Sequence, residues 1–396
     1  MTRLAAATLI VGLPFAVLGQ EAASYNHLLG ASCGAGHIFQ TNDFVRGDNG
    51  GGRRMSGGAL LRLEYGWQTY GVRDWEMAHR LPSFGVGLGA TWLDNSEEVG
   101  RPVSVYGFYN GVFGRWGNGA LRYRIEAGVA MNWEAYDYVA NRQNIAIGSK
   151  VTAHVALGAE YAYTIADQWV LSVGAGVNHF SNGAVRKPNK GLNMLCGQVR
   201  VAYLLSRQKM PPTLPEVDKP KGNEIDLTVG YGLKRFEVDT WETNVADHYD
   251  VGARYNAVTL QGTYLHRYSQ KGKYGGGLQV LYDDFMGSRV KRDGHGRAVV
   301  SRGNLTKRIA LAAMVAHEFC IARMAVVTHV GCYLYRPTLE DREQVKKKLF
   351  QRVGLKYTLP CNLHAGVNIY AHKLSVADFI EWNVGYSFHL RGSSRQ

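Results

Sequence analysis

The sequence predicts an all-β chain, an antiparallel transmembrane β-barrel protein made of two tandem eight-stranded units, with one sixteen-stranded barrel as the alternative closure. Three observations predict it. Glycine supplies 48 of 396 residues, above its usual share of about 7%, while aromatics make up 11% and charges 19%, which fits neither a disordered chain nor a helical bundle. Segments with period-two alternation of apolar and polar residues recur about eight times in each half. Between the halves, four of the ten prolines (Pro211, Pro212, Pro215 and Pro220) crowd residues 207–222, through which no sheet strand can run.

Residues 1–19 have the layout of a secretory signal peptide: Thr2-Arg3, an apolar run from Leu4 to Leu18, then Gly19 before Gln20-Glu21. The first barrel unit is expected over 20–206, a periplasmic linker over 207–222 and the second unit over 223–396. No later run approaches the roughly 18 apolar residues of a transmembrane helix, so any crossing falls to strands. The five cysteines are too few for a disulfide scaffold, and none has zinc-site spacing.

In the first half the strands centre on 25–38, 58–70, 83–93, 102–114, 120–134, 151–165, 168–182 and 191–205. In the second they centre on 224–236, 254–267, 273–285, 307–318, 321–335, 348–358, 362–373 and 378–390. With the first strand starting in the periplasm, long loops at 39–57, 94–101, 135–150, 183–190, 237–253, 286–306 and 336–347 fall outside. Short turns at 115–118, 165–167, 319–320 and 359–361 fall inside, as in outer-membrane barrels. A weak repeat joins the halves: GAEY at 158–161 resembles GLKY at 354–357, and Gly176-Val177-Asn178 recurs as Gly366-Val367-Asn368.

Alternation alone permits a soluble sandwich as well as a barrel. Over 151–163 the odd positions are apolar while Thr152, His154 and Glu160 stand on the even side, and over 121–133 the even side carries Arg122, Arg124, Glu126 and Asn132. Strand length and the aromatics near strand ends (Trp133, Tyr136, Tyr138, Trp169, Trp382, Tyr386, Phe388) favour the membrane, with the latter as interface girdles.

One segment concentrates chemistry. His179 and Ser181, two apart on a strand, share a face with Leu171, Val173 and Val177, and Asn193 shares one with Leu195, Val199 and Val201 across the following loop. Polar residues at a membrane rim are ordinary, but a serine beside a histidine with a third polar group is also the arrangement of an activated nucleophile. Asn182 and the Gly183-Ala184 backbone are candidate oxyanion donors, and Arg186, Lys187 and Lys190 form a basic loop suited to an anionic lipid.

HFSNGA at 179–184 followed by PNKGLN at 188–193 resembles the signature of the lipid A 3-O-deacylase family, and YGFYN at 106–110 with IAIGSK at 145–150 resembles its long, acyloxyacyl hydrolase-like members. The resemblance is strong over 100–193 and weak elsewhere, including the second half. It implies a bacterial outer-membrane ester hydrolase, working on lipid A of lipopolysaccharide without metal or cofactor. Ser181 would be nucleophile, His179 general base and Asn182 with nearby backbone the oxyanion hole. The family's triad acid is a glutamate where this chain has Asn193, an amide that orients an imidazole but stabilises its cation less. Glu160 points to the opposite face and is a poor substitute.

Other classes are a non-catalytic barrel or porin, which needs all sixteen strands in one barrel to leave a lumen, and a phospholipase A. Nucleic acid is no expected partner in that compartment. His372 and Glu381 read as an interior polar network with His364, Asn368, Asn383 and Ser387, and His317-Glu318 fails the HExxH pattern at Ile321.

Overall fold

The computed structural model describes residues 25–206, 222–235, 254–287, 289–292, 298–337, 348–372 and 376–390, with positions 214, 216 and 217. The signal-peptide segment, the four linker prolines and the loop at 237–253 lie outside those residues. The chain divides into two compact units. In the first, β1 (Asn26–Ile38), β2 (Gly57–Gln68), β3 (Ser83–Leu93), β4 (Gly100–Trp116), β5 (Gly119–Trp133), β6 (Val151–Ile165), β7 (Trp169–Ser181) and β8 (Leu192–Leu204) close into an antiparallel barrel.

The second unit is another closed barrel, of β9 (Gly222–Arg235), β10 (Arg254–Ser269), β11 (Gly272–Asp283), β14 (Ile309–Ile321), β15 (Met324–Tyr335), β16 (Leu349–Thr358), β17 (Leu363–His372) and β18 (Val376–Leu390). A hairpin of β12 (Arg289–Arg292) and β13 (Ala298–Ser301) occupies the loop after β11. Each barrel closes on itself, so the sixteen-stranded alternative does not hold.

Burial identifies the solvent. On β2 the outward Leu61 and Leu63 are 48% and 61% exposed, whereas the inward Arg62 and Glu64 are 4% and 5% exposed. A water-soluble sheet would reverse that pattern, because exposed apolar area and buried charge are both unfavourable in water. Lipid makes it favourable: the aliphatic side meets hydrocarbon and every barrel strand is paired along both edges.

Inside the first barrel the charges neutralise one another. Arg62 meets Glu126 at 3.0 Å, Arg124 meets Glu64 at 2.7 Å, and Arg200 meets Glu160 at 2.9 Å. The second lumen holds Arg352 with Glu381 at 3.2 Å, Lys356 with Asp226 at 2.7 Å and Lys273 with Glu224. Phe350, Tyr370 and Phe379 stack across it with centroids 4.9 and 4.8 Å apart. Such packed interiors are what eight strands enclose. His372 and Glu381 both lie inside this lumen, on Asp378 and Arg352 respectively.

Four details depart from expectation. Trp133 is fully buried rather than part of an outer girdle, and Asn132 is exposed: Asn132 has φ +70°, which breaks the alternation at the end of β5 and turns the next side chain inward. The turn after β14 is at Ala322-Arg323, so residues 319–320 belong to the strand. The connection from β2 to β3 is long and carries the short helix α1 (Asp74–Ala78), whose Glu76 accepts from Gly71 and Val72 N–H at 3.0 Å. The repeat is not in one register: Gly158 pairs with Gly176, but Gly354 pairs with Asn368.

Candidate active site

At the rim where β7 and β8 are joined, the first barrel is plugged by apolar side chains including Ile38, Phe44, Met55, Trp133, Ile147, Phe180, Leu192 and Met194. This plug fixes the strand ends from within. Phe180 and Leu192 are cross-strand partners pointing into it, so the neighbouring His179 and Asn193, also paired, point outward. They continue the exposed apolar face formed by Leu171, Val173 and Val177 on β7 and Leu195, Val199 and Val201 on β8.

There His179 Nδ1 lies 2.7 Å from Asn193 Oδ1, and His179 Nε2 lies 3.0 Å from Ser181 Oγ. With the amide oxygen toward the ring, Nδ1 donates and the Nε2 lone pair is left for the serine hydroxyl. The three side chains thus form a continuous hydrogen-bonded chain of hydroxyl, imidazole and amide. A carboxylate can only accept and would impose this tautomer; the Asn193 amide also carries donors, so it permits the reverse one. Glu160 lies in the lumen on Arg200, away from this outward cluster.

The loop after Ser181 is held by several contacts. Asn182 Nδ2 donates to Ser149 Oγ at 3.1 Å, while Asn182 N–H donates to Asn189 Oδ1 at 3.0 Å. Lys190 and Gly191 N–H donate to Ile145 and Ala146 carbonyls, and Asn42 Nδ2 donates to the Gly191 carbonyl at 3.2 Å. Gly183 and Ala184 form a turn with φ +61° and +65°. Arg186 and Lys190 are exposed and Lys187 is half-buried.

The expected His179, Ser181 and Asn193 therefore meet in one cluster, with Asn182 at its edge already engaged at its backbone and one side-chain donor. Three residues that sequence reasoning did not single out also bear on it. Gly191 has φ +74°, and a Cβ there would sit 3.2 Å from His179 Cε1 and 3.5 Å from Ser181 Cβ, so only glycine suits the position. Ser149 braces Asn182, and Asn189, with its oxygen engaged, retains its amide donors beside the Ser181-Asn182 turn. All three sit inside the IAIGSK and PNKGLN motifs, which were the available signal.

The family model described as lipid A 3-O-deacylase (PagL) matches residues 59–202, and the model described as acyloxyacyl hydrolase, C-terminal domain, matches residues 223–390. The second match covers the half in which the motifs are weak. No curated protein matches the chain. Among solved structures, the outer membrane enzyme PagL is 15% identical, covering 43% of this chain and 97% of its own, with a TM-score of 0.29. The transport unit of the autotransporter AIDA-I from Escherichia coli is 9% identical over 98% and 96%, with a TM-score of 0.20. The siderophore receptor PirA from Pseudomonas aeruginosa is 10% identical over 91% and 80%, with a TM-score of 0.23. With one family model on each closed barrel, the chain belongs to the lipid A 3-O-deacylase family, as an outer-membrane ester hydrolase of the long, two-unit form.

Proposed function

We propose that the first barrel removes an ester-linked acyl chain at the 3-O position of lipid A, with Ser181 as nucleophile and His179 as general base. The observation that carries this reading is the chain Ser181–His179–Asn193 on the lipid-facing side, 3.0 and 2.7 Å between its members. A substrate lying in the outer leaflet reaches such a site sideways, without leaving the bilayer.

In the first half-reaction Ser181 Oγ attacks the ester carbonyl carbon while its proton passes to His179 Nε2. The tetrahedral oxyanion is received by donors of the Asn182–Ala184 turn and the Asn189 amide. Collapse breaks the bond to the sugar oxygen, which leaves with the proton from His179 and gives an acyl-serine. Water, deprotonated by the same imidazole, then releases the fatty acid and restores Ser181. Arg186, Lys187 and Lys190 supply positive charge where the anionic headgroup would rest.

Mass spectrometry of lipid A after incubation of refolded protein with lipopolysaccharide tests this. Loss of one acyl mass with the parent chain and none with Ser181→Ala is expected. Unchanged lipid A accompanied by lysophospholipid from a phospholipid control would assign the dyad to a phospholipase A instead.

A further inference from the structure

His154 on β6 is buried in the first lumen, away from the outward cluster, yet it holds both inward neighbours of His179. Its Nε2 lies 3.2 Å from Asn178 Oδ1, the same oxygen that accepts from Arg62 Nη2 at 2.6 Å. Because a guanidinium only donates, that atom is the amide oxygen, and His154 must donate to it from a protonated Nε2. The His154 ring also stacks on Phe180, with centroids 4.8 Å apart and planes at 15°. Tyr106 meets the imidazole edge-on at 5.6 Å, and Trp133 meets Phe180 edge-on at 5.3 Å, so the stack is itself supported.

Asn178 and Phe180 flank His179, and Phe180 separates it from Ser181. Side chains alternate across a strand, so a twist of β7 at 178–180 would swing His179 and Ser181 relative to each other on the far face. Ser181 has its cross-strand partner on β6 only, since the β7–β8 ladder ends at Phe180 and Leu192. We propose that His154 is a positioning residue for the hydrolysis: gripping Asn178 and Phe180 from the lumen, it keeps Ser181 Oγ within reach of His179 Nε2. The proposal rests on the Ser181–His179 reading above.

The test compares His154→Ala, His154→Phe and His154→Gln in the full-length protein refolded in detergent, with lipopolysaccharide as substrate and rates expressed per folded barrel from the heat-induced gel shift. His154→Ala is expected to lower kcat about 10- to 100-fold, the scale of a misplaced reacting group, with KM within about twofold. Fluorophosphonate labelling of Ser181 should slow in parallel. His154→Phe, which keeps the stack, and His154→Gln, which keeps the donor, should each recover part of the loss. Parent-like kcat in His154→Ala, or a change confined to KM or to the folded fraction, would overturn the proposal. If His154→Ala does not fold, parent-like kcat in both other variants overturns it. Full hydrolysis by Ser181→Ala, run alongside, would instead remove the dyad reading itself.

Discussion

The two barrels share the design of their lumens and differ on their outer faces. On β7 the run Gly176-Val177-Asn178 is followed by His179, Phe180 and Ser181; on β17 Gly366-Val367-Asn368 is followed by Ile369, Tyr370 and Ala371. The inward residues correspond. Asn178 accepts from Arg62 and Asn368 donates to Glu381, while Phe180 stacks on His154 and Tyr370 on Phe350 and Phe379. The outward residues do not: His179 faces Asn193, but Ile369 faces Ile380 and Ala371 faces Ala377. The lumen is what closing eight strands requires, and the polar cluster is an addition to one face of one strand pair.

The sharpest way to break that contrast is at the paired serine and alanine. Ser181→Ala is expected to lower lipid A deacylation by at least about 10³-fold, the scale on which serine hydrolases lose a nucleophile. Ala371→Ser should leave the rate unchanged, since Ile369 offers no base. Acyl release followed by mass spectrometry reads both. A residual rate in Ser181→Ala that vanishes on mutating the second barrel would reverse the assignment.

The lumens should respond alike in stability and differently in activity. Arg352→Met leaves Glu381 buried without its cation, and Arg62→Met does the same to one partner of Glu126. Removing one member of a buried pair costs about 3–5 kcal/mol; Glu126 retains Arg124, so Arg62→Met should fall at the low end. Urea titration of the refolded protein measures it. Only Arg62→Met should also reduce hydrolysis per folded barrel, because Arg62 orients the Asn178 amide that His154 holds next to the dyad.

This contrast also explains what could be read from sequence. Barrel strands were legible because lipid on one side and a charged lumen on the other impose strict alternation, as in the even Thr152, His154 and Glu160 against the odd Val151, Leu157 and Tyr161. Ser181, His179 and Asn193 were legible because they interrupt an apolar stripe. Trp133 was misread because one left-handed residue, Asn132, changes the parity that the argument assumes. The braces at Ser149, Asn189 and Gly191 depend on loops meeting in space, and no period in the sequence encodes those contacts.

Asn193 sharpens the comparison further, since on the proposed reading it is the cluster's departure from a full triad. An amide in the orienting position admits the tautomer with the proton on Nε2, which cannot deprotonate Ser181; a carboxylate excludes it. Asn193→Glu is therefore expected to raise kcat about 10- to 100-fold, and Asn193→Ala to lower it about tenfold, by steady-state rates on lipopolysaccharide. A fall with Asn193→Glu would mean that the amide is adapted to this site.

The smallest effect concerns a feature the barrels share. Asp94 just after β3 accepts from Ser56 and Gly57 N–H at 2.8 and 2.7 Å and pins the start of β2; Asp284 just after β11 accepts from Asn256 Nδ2 at 2.9 Å and pins the start of β10. Burial opposes charge on both, but these hydrogen bonds, joined for Asp284 by Tyr282 and the Arg302 charge, hold both carboxyls below their ordinary value. A depressed carboxyl contributes stability that is complete above its unfolded pKa, near 3.9, and is lost as pH falls through the lower folded value. Asp94→Asn and Asp284→Asn should each cost about 1 kcal/mol or less at neutral pH, and the cost should shrink below pH of about 4. Added salt should reduce the Asp284 effect more than the Asp94 effect, because among the described residues Asp284 alone of the two has ion-pair partners, Arg308 at 3.4 Å and Arg302 at 3.7 Å. Equal salt sensitivity in urea titrations would show that hydrogen bonds alone account for both sites.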